Sequence, residues 1–259
     1  MTDYLKTCER AARAGGMVLL DWVGRFAARE KANADLVTEA DFASQEEIRR
    51  ILLSVFPDHG FLGEEGGGIA GPENAEFRWL VDPLDGTTNY VHRIPHYCVS
   101  VALERRGGLL CGAVFDPISR ECFTGEAGKG AFLNGQKLAV SNVERIEQAV
   151  AAVSLPPKVQ PGSRDLAELA RAAVACQAIR RTGSAALNLC YLAAGRFDAY
   201  WGGNTKPWDI AAGALMIREA GGLITGADGG QLCLTDARFV AASTKKLHEE
   251  MLRLVGDQR

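Results

Sequence analysis

The stretch Trp79-Leu80-Val81-Asp82-Pro83-Leu84-Asp85-Gly86-Thr87-Thr88-Asn89 constrains this chain more than any other. Its first residues read as a buried strand, and the apolar run stops at two carboxylates three residues apart. Asp-Pro and Asp-Gly are ordinary turn formers, and taken alone they need mean nothing more. The chemical reading is richer. Pro83 fixes its own φ, so a turn here can aim both carboxylates and the Leu84 carbonyl at one point, a set of hard oxygens of the kind Mg²⁺ prefers. Gly86 leaves the backbone open to an anion. Thr87 and Thr88 can offer N–H and O–H donors where a helical turn begins, a favourable place for phosphate.

A second acidic pair, Glu64-Glu65, follows the short apolar Phe61-Leu62. Together these acids supply the several carboxylates that two Mg²⁺ ions sharing a phosphoryl oxygen require. Charge balance bears on this directly. With 29 basic and 32 acidic residues the net charge is -3, so a site for a phosphate anion needs cations to reverse the local field. The same balance argues against direct nucleic-acid binding through an overall positive field.

The organisation around these motifs is globular. Helical spacing of Leu5, Ala12, Leu19, Trp22 and Phe26 predicts a first amphipathic helix, and Thr38 to Asp41 resembles a capping box that starts a second. Between them lies a polar break over 31–35. From Arg78 the text turns to strands at 79–81, 97–103, 109–115 and 121–124, with a hairpin signal at Asn134-Gly135. Beyond about residue 145 strands and helices alternate: a strand at 149–154, helices over 164–176 and 185–194, a strand at 197–201, and helices from Pro207 and Thr244. We therefore expect an N-terminal α+β portion over 1–145 and a C-terminal α/β portion over 146–259. Seven scattered cysteines without a C-x-x-C pair suit a reducing compartment, and no apolar run approaches the roughly 18 residues that span a bilayer. A cytoplasmic protein without a membrane partner is the expectation. His59, His92, His96 and His248 show no ligand spacing and are assigned no role. The Gly66-Gly67-Gly68 run reads as a mobile loop that can close over the acids, not as a dinucleotide fingerprint.

Three separated motifs give the chain a specific resemblance. Gly63-Glu64-Glu65, Asp82-Pro83-Leu84-Asp85-Gly86-Thr87-Thr88-Asn89 and Trp208-Asp209 within Lys206 to Gly213 resemble, in order and separation, the signatures of the inositol monophosphatase family of Mg²⁺-dependent, lithium-sensitive phosphatases. The resemblance implies a layered αβαβα fold and a homodimer. It implies that Glu64, Asp82 and the Leu84 carbonyl hold one Mg²⁺, and that Asp82, Asp85 and Asp209 hold a second. Glu64 and Thr87 would orient the attacking water, and the Gly86 and Thr87 amides would receive the phosphate with Thr88 beside them. Asp41 and Glu65 match acids of a third, weaker metal site, while the capping box explains Asp41 by itself. Gly183, Ser184 and Ala185 resemble a substrate-facing turn, Asp209 shares that face, and Ser184 is equally a sound N-cap.

The function this implies is Mg²⁺-dependent hydrolysis of a small phosphate monoester, inositol monophosphate first. Histidinol phosphate, fructose-1,6-bisphosphate and 3'-phosphoadenosine nucleotides are alternative substrates. A different class, a binding partner of the transcription machinery, follows from bacterial relatives, but a pure binding module has no need of all five catalytic positions. One departure stands out. Seven residues before Asp209 the family's animal members carry a glutamate that bonds inositol hydroxyls, and this chain has Gly202. The expectation is a broader phosphomonoesterase, with Trp201 or Asn204 shaping the pocket instead.

Overall fold

The first periodic stretch folds as α1 (Tyr4–Trp22), and Asp3 caps it by accepting from the Lys6 amide. Its buried stripe, Cys8, Ala11, Ala12 and Leu19, is small enough for close packing. A computed structural model of the chain describes residues 3–256, apart from 26, 27, 33, 34, 68, 73, 74 and 237. The polar break holds a two-stranded antiparallel ribbon, β1 (Ala28–Ala32) and β2 (Asp35–Thr38). Thr38 then caps α2 (Glu39–Val55): its hydroxyl accepts from the Ala40 amide, and the Asp41 carboxylate reaches back to the Thr38 amide at 2.9 Å.

Eight strands make the larger sheet: β3 (Gly60–Gly63), β4 (Ile69–Ala70), β5 (Phe77–Asp85), β6 (Cys98–Arg105), β7 (Gly108–Asp116), β8 (Glu121–Glu126), β9 (Gly130–Leu133) and β10 (Gln136–Lys137). Their order is β10-β9-β8-β7-β6-β5-β3-β4, and a short helix α3 (Thr87–Val91) leaves the end of β5. Asn134 and Gly135 both take positive φ, 47° and 82°, as a two-residue hairpin turn between β9 and β10 requires. Of the glycine run, Gly66 and Gly67 lie in a 3₁₀ turn over Glu65–Gly67, and Gly68 lies outside the described residues.

The second half supplies β11 (Val150–Ser154), α4 (Arg164–Ala175), β12 (Ala178–Arg180), α5 (Ala185–Ala193), β13 (Ala199–Gly202), α6 (Pro207–Glu219), β14 (Leu223–Gly226), β15 (Phe239–Ala242) and α7 (Lys245–Val255). Its sheet runs β12-β11-β13-β15-β14, with β11 parallel to β12 and β13, and β15 antiparallel to both neighbours. Five layers result: α1 and α2, the eight-stranded sheet, α5 and α6, the five-stranded sheet, then α4 and α7.

Strand β6 shows how the layers are cemented. Val99, Val101 and Leu103 point into the core under α1 and α2, while Cys98 and Ala102 point into the core around α5 and α6. A strand covered on both faces reads as an unbroken apolar run, as this one does. Among the described residues, no helix is long and apolar enough to cross a membrane.

Candidate active site

In a regular strand, residues three apart face opposite sides of the sheet, which would separate Asp82 from Asp85. The pairing of β5 with β6 removes that problem. Asp82 stands opposite Ser100 and Asp85 opposite Cys98, so three steps on β5 match two on β6, and the extra residue is a bulge at the proline. Because Ser100 and Cys98 share a face, so do Asp82 and Asp85, on the side of α5 and α6. The bulge is also where proline fits, since Pro83 has no N–H to give the ladder.

Each turn of the bulge is tied down. Ser44 on α2 donates to the Pro83 carbonyl at 3.0 Å, and the Leu84 amide donates to Asp82 Oδ1 at 3.0 Å. The Thr87 hydroxyl donates to the Leu84 carbonyl at 3.1 Å, leaving that oxygen a second lone pair. Gly86 sits at φ 101°, and a Cβ there would lie 3.1 Å from the His96 carbonyl and 3.2 Å from Tyr97 Cβ. Glycine is therefore required for conformation and for space.

Helix starts bring the remaining acids in. Asp85 caps α5, accepting from the Ser184 hydroxyl at 2.5 Å and from the Ala185 and Ala186 amides at 3.2 and 2.7 Å. Asp209 lies in the first turn of α6, where its carboxylate accepts from the Lys206 amide at 2.8 Å. The start of α6 is anchored to the large sheet by Ser100, whose hydroxyl donates to the Trp208 carbonyl at 3.1 Å. Glu64 follows β3, and its amide donates to the Val81 carbonyl at 3.1 Å, next to Asp82. Gln45 then clasps the following residue from both sides, accepting from the Glu65 amide and donating to the Glu65 carbonyl, each at 2.9 Å.

The result is a cleft of about 530 Å³ whose lining includes Glu64, Asp82, Asp85 and Asp209 together with Gly86, Thr87, Thr88, Gly183 and Ala185. Ser154, Thr182, Asn204 and the exposed Arg181 line it as well. Burial pushes the Asp82 carboxyl well above the usual range, and the charges of Glu64, Asp85 and Asp209 push it further. Burial does the same to Asp209, with Asp85 next in weight. Asp85 is raised to about 6 by burial, against the lowering effect of its three donors at α5. Three buried aspartates, with Glu64 beside them, thus concentrate negative charge in one opening.

Among the described residues no three acid, histidine or cysteine side chains close into a finished cation cage; the four carboxylates surround a shared opening. The donor set nevertheless fits Mg²⁺. It is all hard oxygen, from carboxylates and the Leu84 carbonyl, and neither histidine nor cysteine lines the cleft.

Other positions named from the sequence fall elsewhere. Asp41 is buried, with Oδ2 held by the Thr38 amide and hydroxyl, and it faces Thr87 at 3.5 Å without lining the cleft. Glu65 is likewise buried behind Glu64. Ser184 is 1% exposed: its hydroxyl caps α5 through the Leu187 amide and donates to Asp85, so it lies beneath the cleft wall. Trp201 does not shape the pocket; it is buried in the core between the five-stranded sheet and α4 and α7. Gly202 is closed in as well, since a Cβ there would lie 3.1 Å from Ser154 Cβ and 3.3 Å from the Phe239 ring. Asn204, at φ 60°, does line the cleft. Ser44, Gln45 and Ser100 carry no mark in the sequence, and Asn89 stands in the motif there without a role of its own. Asn89 donates to the carbonyls of His96 (2.7 Å) and Thr182 (2.9 Å), tying α3 to the start of α5.

Comparison with known proteins matches this arrangement. Residues 1–259 match the profile described as the inositol monophosphatase family. An inositol-1-monophosphatase of Caulobacter vibrioides is 41% identical over 226 residues, 86% of this chain and 88% of that protein. The Nus factor SuhB of Pseudomonas aeruginosa is 40% identical over 252 residues, 95% of this chain and 93% of that one. Among solved structures, extragenic suppressor protein suhB of Bartonella henselae superposes with a TM-score of 0.92 at 38% identity, covering 96% of this chain and 97% of that one. An IMPase/NADP phosphatase complexed with Mg²⁺ and phosphate superposes at 0.83 with 27% identity, covering 94% of this chain and 91% of that one.

Proposed function

This chain belongs to the inositol monophosphatase family and is a phosphomonoester hydrolase, and from that premise we propose that its substrate is a small phosphorylated polyol, inositol monophosphate first. The observation that carries the reading is the bulge that turns Asp82 and Asp85 to one face, opposite Asp209 and beside Glu64. The family is Mg²⁺-dependent, and a structural neighbour is a complex with Mg²⁺ and phosphate.

In this reading Glu64, Asp82 and the Leu84 carbonyl would hold one Mg²⁺, and Asp82, Asp85 and Asp209 would hold a second. When bound, the ions supply positive charge to the phosphoryl oxygens and make a nearby water more acidic. The chain's own groups do the rest. Thr87 has committed its proton to the Leu84 carbonyl, so its oxygen is free to accept from a water and aim it; as that water bonds to phosphorus Glu64 takes its proton, the bond to the alcohol oxygen breaks, and the alcohol leaves with a proton from solvent. The Gly86 and Thr87 amides, at the first turn of α3, receive the phosphate oxygens, with Thr88 alongside. Gly183 and Ala185 form the wall that faces the alcohol portion.

The alternative substrates, histidinol phosphate, fructose-1,6-bisphosphate and 3'-phosphoadenosine nucleotides, belong in the same test. Turnover of all four esters should require Mg²⁺, stop on EDTA treatment, return when Mg²⁺ is restored and fall in high Li⁺. Undiminished hydrolysis after exhaustive chelation would overturn the metal assignment. A role as a transcription partner is not favoured, because Glu64, Asp82, Asp85, Thr87 and Asp209 are all present in one cleft. The homodimer belongs to the same proposal, and a solution mass of one chain would refute it.

A further inference from the structure

We infer that Ser154 and Thr182 are the residues that read the hydroxyl groups of the substrate's alcohol portion, and that Tyr200 and Asn188 position them from behind. The inference rests on the phosphatase reading and deepens it.

Ser154 ends β11, and Thr182 stands two residues before the cap of α5; both line the cleft that holds the carboxylates. Each hydroxyl is backed by a fully buried polar side chain. Ser154 Oγ is 2.5 Å from the Tyr200 hydroxyl, and Thr182 Oγ1 donates to Asn188 Oδ1 at 2.7 Å. Tyr200 and Asn188 are 0% exposed, in a core otherwise made of side chains such as Leu187, Leu189 and Phe239.

Burying a phenol hydroxyl and a carboxamide there is costly unless they are well partnered. The partnering is incomplete. Asn188 Nδ2 makes no hydrogen bond of good geometry among the described residues, its carboxamide lying beside the Tyr200 hydroxyl while Oδ1 stays on Thr182. The same threonine is fixed a second time through its carbonyl, which accepts from Asn89.

This anchoring gives the wall a direction. Thr182 spends its proton on Asn188, so its oxygen is presented to the cleft as an acceptor. Ser154, shared with Tyr200, keeps a hydroxyl that can donate or accept. An acceptor and a second hydroxyl, both locked by buried partners, suit an alcohol portion that carries hydroxyl groups. Sites built to bond a substrate hydroxyl discriminate strongly against analogues that lack it. Position 202 is crowded by Ser154 and Phe239, so it has little room for a side chain of its own and contact with the substrate on this wall falls to the neighbouring strand and turn.

The test compares kcat/KM for inositol monophosphate with kcat/KM for phenyl phosphate, which carries no hydroxyl on its alcohol portion. Ser154→Ala and Thr182→Val should each lower the ratio of the two by roughly tenfold, about one hydrogen bond to a neutral group. Thr182→Ser, which restores the hydroxyl, should return the ratio to the wild-type value. Tyr200→Phe should act as loss of positioning, raising KM for the inositol ester more than it lowers kcat. If Ser154→Ala and Thr182→Val depress both esters in parallel and leave the ratio unchanged, the two residues are structural and the inference fails alone. A wild type inactive on both esters would overturn the phosphatase reading, and this inference with it.

Discussion

Gly63→Ala, a change of one methyl group at the end of β3, should cost both stability and activity. The added Cβ would lie 2.2 Å from Gln45 Oε1, 2.7 Å from its Cδ and 2.9 Å from Phe61 Cε1. Gln45 cannot simply swing aside, because its carboxamide holds the Glu65 amide and carbonyl, each at 2.9 Å. Displacing it breaks two hydrogen bonds and leaves buried main-chain groups unpaired, at about 2 to 4 kcal/mol in total. For a chain of this size that corresponds to a fall in Tm of roughly 5 to 15 °C by thermal denaturation. Activity should drop as well, since Glu64 lies between the clash and the clasp. A double-mutant cycle sharpens the test: in a Gln45→Ala background Gly63→Ala should cost much less, because the main obstacle is gone. A Tm for Gly63→Ala within about a degree of wild type, or strictly additive effects in the cycle, would refute the reasoning.

Asp209→Asn should keep the fold and lose most activity, and Thr87→Ala should lower kcat by roughly 10² or more, as other preorganised polar groups do; near-normal kcat in Thr87→Ala would reduce Thr87 to a structural role. Burial holds His59, His96 and His248 below the usual imidazole value, so the unfolded chain takes up protons first. Their contribution is present above about pH 6.5 and is lost as pH falls below it, while Asp82, Asp85 and Asp209, raised by burial, act in the opposite direction. The histidine part is therefore read by difference: between pH 7.5 and 5.5 the urea midpoint of His59→Phe should fall less, or rise more, than that of wild type, and an identical pH dependence would contradict this. Gly202→Glu should fail to install an inositol-reading carboxylate and should destabilise the protein, because Ser154 and the Phe239 ring occupy the space; a stable variant with sharpened inositol preference would show otherwise.

Local chemistry made much of this legible in the sequence. Thr38 and Asp41 form the capping box their spacing suggests, Asn134-Gly135 turns the hairpin, and the strand that ends at Asp82 and Asp85 brings both acids to one face. What stayed hidden depends on partners far along the chain. Ser44 and Gln45 look like solvent-facing residues of an amphipathic helix until Pro83 and Glu65, 39 and 20 residues away, arrive beside them. Asp85 gives no sign that it will cap a helix beginning about 100 residues later. Trp201 reads as a pocket aromatic near a glycine pair, yet strand alternation sends it to the opposite side of the sheet from Tyr200. β14 and β15 are four residues each, β14 between two glycine pairs, and both are too short for their period to register.

The placement of α5 and α6 between the two sheets governs how the chain must come together during synthesis. The eight-stranded sheet is complete by Lys137, but one of its faces, with Cys98, Ala102, Val114 and Phe123, is covered by helices that are made only between residues 185 and 219. A ribosome-bound chain therefore carries an uncovered greasy face for some 80 residues of elongation, several seconds at ordinary translation rates. Its first half is an adhesive surface until its second half exists, so protection at that stage has to come from outside the molecule.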